Sequence, residues 1–245
     1  MYEVIFQYGP LTLTTFNTLL AIAFVVGAIF LIRFIQLKKM KLSFFVNNFA
    51  YIVLMPLLSG RILNVIEHFP AYRTDLLQIF TVWDMKFSGF GIFYGAVITL
   101  YLLARREHED FWSWFDAFVL CGLVGLIFIH LGDFFSGNFY GRPTGLPWGI
   151  AFDTYDIPFT TPIHPVQLYS ALATFIIFVN FMRSAKRTHL TGLTGNLSVM
   201  LYCIASFGID FLHGAPSMYA KITYAVIAAF AFIFYMNCSH KKLFE

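Results

Sequence analysis

A chain of 245 residues that is 59% apolar, 20% aromatic and only 12% charged has too little charge to coat a soluble globule, whose charged share is about 25%. Its formal net charge is +3, and the basic residues cluster beside apolar runs with no interleaved aromatic patch, so no nucleic-acid partner is indicated. The composition is that of an integral membrane protein whose length holds several spans of about 20 residues each and little besides, and residues 1–245 read as a single polytopic membrane domain.

In chain order, apolar runs fall at roughly 11–32, 45–66, 88–104, 113–131, 166–182, 194–213 and 219–237, each close to the length that crosses a bilayer. The expectation is an all-α protein of about seven transmembrane helices. The first run has no cationic flank before it and no small-residue cleavage site, so it reads as a retained helix and not as a signal peptide. Of the 16 Lys and Arg residues, Arg33, Lys38, Lys39, Lys41, Arg105, Arg106, Arg183, Lys186, Arg187, Lys241 and Lys242 share one set of loops. Arg73, Lys86, Arg142 and Lys221 lie on the other side. The positive-inside rule then puts the N-terminus outside and the C-terminus in the cytoplasm. Cys121, Cys203 and Cys238 lie in spans without a CxxC spacing, which indicates buried apolar residues and no disulfide framework or zinc ribbon.

Between the fourth and fifth runs lies the longest outer connection, residues 132–165, rich in Gly and Pro. Non-helical backbone at membrane depth is tolerated only where protein or a water-filled cavity satisfies its N–H and C=O groups, so a site is expected here. Ionisable side chains at membrane depth cost about 2.5–3.5 kcal/mol on insertion scales and are paired or functional. Arg61 lies late in the second run. His130 and Asp133 end the fourth, Asp210 and His213 end the sixth, and each pair has the i,i+3 spacing of one helical face. The bland alternatives are a snorkelling Arg61 and two structural pairs at helix ends. Two Asp/His pairs on two helices also match the way bundle metal sites are built, so a divalent ion is a further alternative, although the expected site uses no metal and no cofactor. His164, before Pro165, caps or orients the start of the fifth span.

Several segments together resemble the bacterial prolipoprotein diacylglyceryl transferases over nearly the whole chain. They are Ile5-Phe-Gln-Tyr-Gly-Pro10, Gly60-Arg61-Ile62, Ser88-Gly-Phe-Gly-Ile-Phe-Tyr-Gly95, Leu131-Gly132, Gly137, Tyr140-Gly-Arg-Pro-Thr144, Leu146-Pro-Trp-Gly-Ile150, His164-Pro165 and Gln167-Leu-Tyr169. The resemblance implies a multi-pass protein of the bacterial inner membrane that moves diacylglyceryl from phosphatidylglycerol to the lipobox cysteine of a prolipoprotein, leaving a thioether and releasing glycerol phosphate. Such chemistry needs a base to form the thiolate and cations to hold the departing phosphate.

Carried onto this chain, the resemblance implies a reacting set of His130, Asp133, Tyr202, Asp210 and His213. It implies a phospholipid-binding set of Arg61, Gly137, Gly141 and Arg142, with His164, Gln167 and Tyr169 supporting the loop. The departures are pointed: Phe90 stands where the family has its histidine, His130 and Asp133 stand where its signature has Arg and Asn, and Ser206 replaces an arginine. Asp210 and His213 align with a Glu and a frequent Arg. Two readings follow. In the first, His130 or His213 replaces the lost base, oriented by Asp133 or Asp210. In the second, the chain is a noncatalytic lipid- or protein-binding scaffold of an envelope assembly, whose partners are a phospholipid and a prolipoprotein signal peptide or another envelope membrane protein.

Overall fold

The computed structural model describes residues 4–8, 11–73, 75–80, 86–152, 158–187 and 190–241. The chain begins with a short antiparallel hairpin, β1 (Val4–Tyr8) and β2 (Leu11–Thr14), in the register Val4↔Thr14, Phe6↔Leu13, Gln7↔Thr12 and Tyr8↔Leu11. The alternation Leu11-Thr-Leu-Thr14 is the period-2 pattern of a half-buried strand. It corrects the expected first span, which begins at Thr15 and not at residue 11. Gly9 and Pro10, part of the family-like start, lie outside the described residues, as does Lys242.

Helices then follow as α1 (Thr15–Lys38), α2 (Leu42–Glu67), the single turn α3 (Phe69–Tyr72), α4 (Gly89–Arg106), α5 (Phe111–Ser136), α6 (Val166–Arg187), α7 (Leu193–Asp210) and α8 (Met218–Lys241). Six of them, α1, α2 and α5 to α8, are long and apolar enough to cross a membrane. The remaining expected span, α4, is 18 residues long and takes in Arg105 and Arg106. Large apolar residues such as Phe24, Val25, Leu102 and Phe230 are exposed on these helices, the face that lipid covers in an all-α membrane protein.

The described chain forms two compact units. Unit two runs from Lys38 to Phe118, and unit one comprises the residues before and after it. In unit two, α2 packs on α4 through small residues: a Cβ on Gly91 would lie 2.8 Å from Gly60 Cα, Leu63 Cβ and the Ser59 carbonyl, and a Cβ on Gly60 2.6 Å from Ile92. Without a hydrophobic drive between helices in lipid, such close backbone approach is what associates them. Ser88 caps α4 by accepting from the Gly91 N–H, and its own hydroxyl donates to Glu67 at 3.0 Å. At the opposite end of α4, buried Asn48 donates to Glu107 at 2.7 Å and accepts from Arg106 at 2.9 Å. The Asn48 bond, helped by Arg106, holds the Glu107 carboxyl below its usual range.

In unit one, α7 packs against both α6 and α8. Phe30 meets Phe178 edge-on at 5.0 Å between α1 and α6, and Phe16 covers Gly132, where any side chain on α5 would collide with it. α5 stops at Gly137, whose φ of 72° is the left-handed conformation that ends helices and favours glycine. Helix α7 ends at Asp210, three residues before the expected limit of its span. The chain then leaves by a tight turn whose backbone bonds run Phe211 to Gly208, Leu212 to Ile209 and His213 to Asp210.

Candidate functional site

The Gly- and Pro-rich connection is not a loose loop. The stretch 140–144 lies between two others: Gly214 N–H donates to the Tyr140 carbonyl, Arg142 N–H to Leu212, His164 N–H to the Arg142 carbonyl and Thr144 N–H to Pro162, all at 2.9 Å. Short bridges Gly141↔His213, Pro143↔Ile163 and Ile150↔Ile163 result, so this irregular backbone is satisfied by protein, as membrane depth requires. Gly141 has no room for a side chain, because a Cβ there would strike the His164 backbone. A small apolar core of Phe152 and Ile163, with Phe134, Tyr140, Ile150 and Phe159, holds the segment together. His164 Nδ1 lies 3.4 Å from the Tyr169 hydroxyl, which accepts from Trp148 Nε1 at 2.8 Å. Buried Gln167 donates to the Asn138 carbonyl at 2.6 Å and ties the start of α6 to the end of α5, while its Oε1 has no hydrogen-bond partner among the described residues.

Against this segment stands the turn after α7. Arg142 donates Nε to the His213 carbonyl at 3.1 Å, and no other hydrogen bond of its guanidinium exists among the described residues. The His213 ring packs edge-on to Phe139 at 5.9 Å, and its Nδ1 is buried without a hydrogen-bond partner among the described residues. Burial lowers the His213 pKa below its usual value, with the Asp210 carboxylate pulling the other way. Asp210 in turn lies 3.4 Å from the ammonium of Lys221 on α8.

Deeper in unit one the polar side chains of α5, α7 and α8 meet. His130 Nε2 is 3.4 Å from the Tyr202 hydroxyl, Tyr202 and Tyr224 both lie near Ser206, and Asp133, 5% exposed, lies near Asn138. The two i,i+3 pairs thus resolve differently from the sequence pattern. His130 turns to Tyr202 of another helix, and no hydrogen bond joins it to Asp133. His213 is not on the helix with Asp210, because α7 has already ended. Among the described residues no group of three or more His, Cys, Asp or Glu side chains is placed to hold a metal ion, which leaves the divalent-ion alternative without a ligand set.

Unit two carries Arg61 and Phe90. Arg61 is 4% exposed. It donates Nε to the Ile79 carbonyl at 3.1 Å, Nη1 to Lys86 at 3.0 Å and Nη2 to Gln78 at 2.5 Å, and its guanidinium lies 5.4 Å from the centre of the Tyr72 ring. Beside it a cavity of about 330 Å³ is lined by Asn64, His68, Ala71, Tyr72, Gln78 and Lys86. Phe90 is the second residue of α4, half-buried. Reasoning from sequence missed Lys221, Tyr224 and Trp148 as members of these arrangements; the signal for Lys221 was its place beside an apolar run, where a charge needs a partner.

Six apolar helices long enough to cross a membrane, joined in part by an irregular, hydrogen-bonded connection and carrying polar side chains on α5, α7 and α8, define a polytopic membrane protein. The sequence profile described as prolipoprotein diacylglyceryl transferase matches residues 3–238, and the chain belongs to that family. Relatives named phosphatidylglycerol–prolipoprotein diacylglyceryl transferase include one from Nitratidesulfovibrio vulgaris strain DP4, 34% identical over 165 residues, 66% of this chain and 62% of that protein. Another from Tolumonas auensis is 26% identical over 88% of this chain and 84% of its own length. A third, from Finegoldia magna, is 23% identical over 94% and 93%. The match to the Nitratidesulfovibrio protein thus spans about six tenths of that protein, whereas the more distant matches are nearly complete.

Proposed function

We propose that this chain is a diacylglyceryl transferase of the bacterial inner membrane whose base has moved to His213. The observation that carries the reading is the His213 Nδ1, buried and without a hydrogen bond among the described residues, on a residue whose backbone is bridged to Gly141 and accepts from Arg142. A base needs a free lone pair, and an imidazole kept neutral near pH 7 supplies one. His130 is a weaker candidate, since its Nε2 already faces Tyr202. The names of the relatives support phosphatidylglycerol as donor and a prolipoprotein as acceptor.

In the proposed reaction, His213 takes the proton of the lipobox cysteine thiol. The thiolate attacks the glycerol carbon that bears the phosphate, the C–O bond breaks as the C–S bond forms, and glycerol phosphate leaves and recovers the proton. Arg142, whose terminal amino groups make no hydrogen bond among the described residues, contacts the phosphate. The proposal takes residues 1–245 as one membrane domain with α4 as its seventh span and the N-terminus outside. A cysteine at Thr144 then labels from outside intact cells while one at Lys186 does not.

The test is thioether formation on a lipobox peptide in phosphatidylglycerol vesicles. His213→Ala is expected to abolish turnover and His130→Ala to leave part of it. Full activity in His213→Ala overturns the base assignment. No activity in the parent, with phospholipid still retained, favours the noncatalytic scaffold to which Phe90 and Ser206 point.

A further inference from the structure

The connection between α3 and α4 carries large apolar side chains that the fold leaves exposed. In its short 3₁₀ helix, Leu76–Phe80, Leu77 and Phe80 are each 77% exposed, and Leu76 of the same helix and Phe69 of α3 are more than half exposed. On α1 or α8 such exposure belongs to a helix that crosses the membrane, but a five-residue element crosses nothing. An exposed apolar patch of this kind marks a surface that something else covers.

The backbone of this element is fastened on both its donor and its acceptor side. Buried Arg61 reaches out of α2 to the carbonyls of Gln78, Ile79 and Lys86. Asp75 accepts from the Leu77 N–H at 3.1 Å through its carboxylate and from the Gln78 N–H at 3.2 Å through its carbonyl, and its second carboxylate oxygen accepts from the Gln78 side chain at 3.3 Å. In water such carbonyls are solvated without the help of a guanidinium. At membrane depth they must be satisfied by protein, and here they turn to a buried cation while Leu76, Leu77 and Phe80 stay exposed.

Helix α2 sets the depth of the element. Leu42, beside Lys41, begins that helix, and Arg61 lies nineteen residues further on, a rise of about 29 Å, close to the roughly 30 Å thickness of the hydrocarbon core. The Ser88 N–H donates to the Gly60 carbonyl at 3.0 Å, so the chain that leaves α2 at Glu67 has come back by about two helical turns when α4 begins. The carbonyls held by Arg61 therefore lie at the boundary between hydrocarbon and headgroups. Exposed Arg73 and Lys86 flank the element, where long basic side chains reach the headgroups.

We propose that residues 76–80 form an interfacial insertion, in which Leu76, Leu77 and Phe80 dip into the acyl chains of the leaflet at the C-terminal end of α2 while Arg61 satisfies the backbone behind them. The partner is the lipid bilayer itself. Elements that lie in the membrane surface bury their apolar side chains about 5–10 Å into the boundary of headgroups and acyl chains. The assignment concerns unit two alone and is independent of the base and donor readings above.

Spin labels on the full chain, with Cys121, Cys203 and Cys238 replaced by Ala, test it in nanodiscs of phosphatidylglycerol and phosphatidylethanolamine. Labels at Leu77→Cys and Phe80→Cys are compared with Leu54→Cys, exposed on the apolar face of α2, and with Arg73→Cys, for access to oxygen, which concentrates among acyl chains, and to a water-soluble nickel chelate. The ratio of oxygen to nickel access at 77 and 80 is expected to be several-fold above that at 73 and to approach that at 54. A ratio at 77 and 80 equal to that at 73 overturns the proposal, because the element then faces water. Immobile labels closed to both reagents overturn it too, since a second copy or another protein then covers them. Nickel access that falls only when a lipobox peptide is added overturns it as well and gives the surface to the acceptor. The unaltered parent supplies a second measurement should the cysteine-free protein fail to fold: a phospholipid with a diazirine near the top of its acyl chain is expected to label residues 76–80 as well as α2, and labelling of α2 alone overturns the proposal.

Discussion

Arg61 in unit two and Lys221 in unit one are both cations beside an aromatic ring, the first buried and the second partly exposed, and they are held in different ways. Three of the five N–H groups of Arg61 are donated to the backbone carbonyls of Gln78, Ile79 and Lys86, so it staples the connection that follows α3. Lys221 makes an ion pair and a ring contact but no hydrogen bond among the described residues. A cation spent on backbone carbonyls is structural, and the carbonyls that Arg61 holds distinguish it from the partly exposed Lys221.

The comparison breaks first at Arg61. Arg61→Met strands three carbonyls, at about 1 kcal/mol each, and is expected to cost about 3 kcal/mol. A fall in thermal midpoint in detergent, not recovered by Arg61→Lys because an ammonium cannot span three carbonyls, checks this. Lys221→Met should move that midpoint far less. Equal losses of stability in the two variants would remove the distinction.

Gly91→Val comes next. Its new Cβ meets Gly60, Leu63 and Ser59 in the α2–α4 crossing, an overpacking that costs about 1–3 kcal/mol. Lipid selectivity per folded molecule should stay at the parent level, since the proposed headgroup contacts belong to unit one. Tyr169→Phe is smaller: it removes the acceptor of Trp148, costs about 1 kcal/mol, and is expected to speed hydrogen exchange over residues 141–150.

The smallest expected effect is the pH response of His213. Burial depresses its folded-state pKa below the ordinary value of 6.5, so the unfolded chain takes up a proton first as the pH falls. Stability from this group is complete above about pH 6.5 and is lost on acidification through the depressed pKa. His213→Gln should flatten the difference in thermal midpoint between neutral and mildly acidic buffer. An unchanged difference would mean that the ring is not the group being titrated.

Hydropathy made the helices legible because a span must be apolar along its whole length, and the glycine signals at Gly137 and Gly141 marked the bridged segment before any geometry was known. The ends of spans were less legible. Leu11-Thr-Leu-Thr14 is apolar enough to be counted into α1 yet alternates as a strand, and residues 211–213 continue the apolar run after α7 has turned. Pairing was the least legible. Spacing on one helix joined His130 to Asp133, but the polar contact of the His130 ring is across helices to Tyr202. Charge counting put Lys221 in an outer loop, and only folding brings it to Asp210, eleven residues and one helix break away. The carbonyls that claim Arg61 come from residues 78, 79 and 86, a relation that no sequence period encodes.

The central claim is that the rearranged cluster of unit one still transfers diacylglyceryl. Mass spectrometry of a lipobox peptide incubated with the purified parent protein and phosphatidylglycerol tests it most directly. The account predicts a peptide heavier by one diacylglyceryl group on its cysteine sulfur, with one glycerol phosphate released per modified peptide. An unmodified peptide, under conditions in which the Tolumonas auensis relative modifies it fully, would contradict the account.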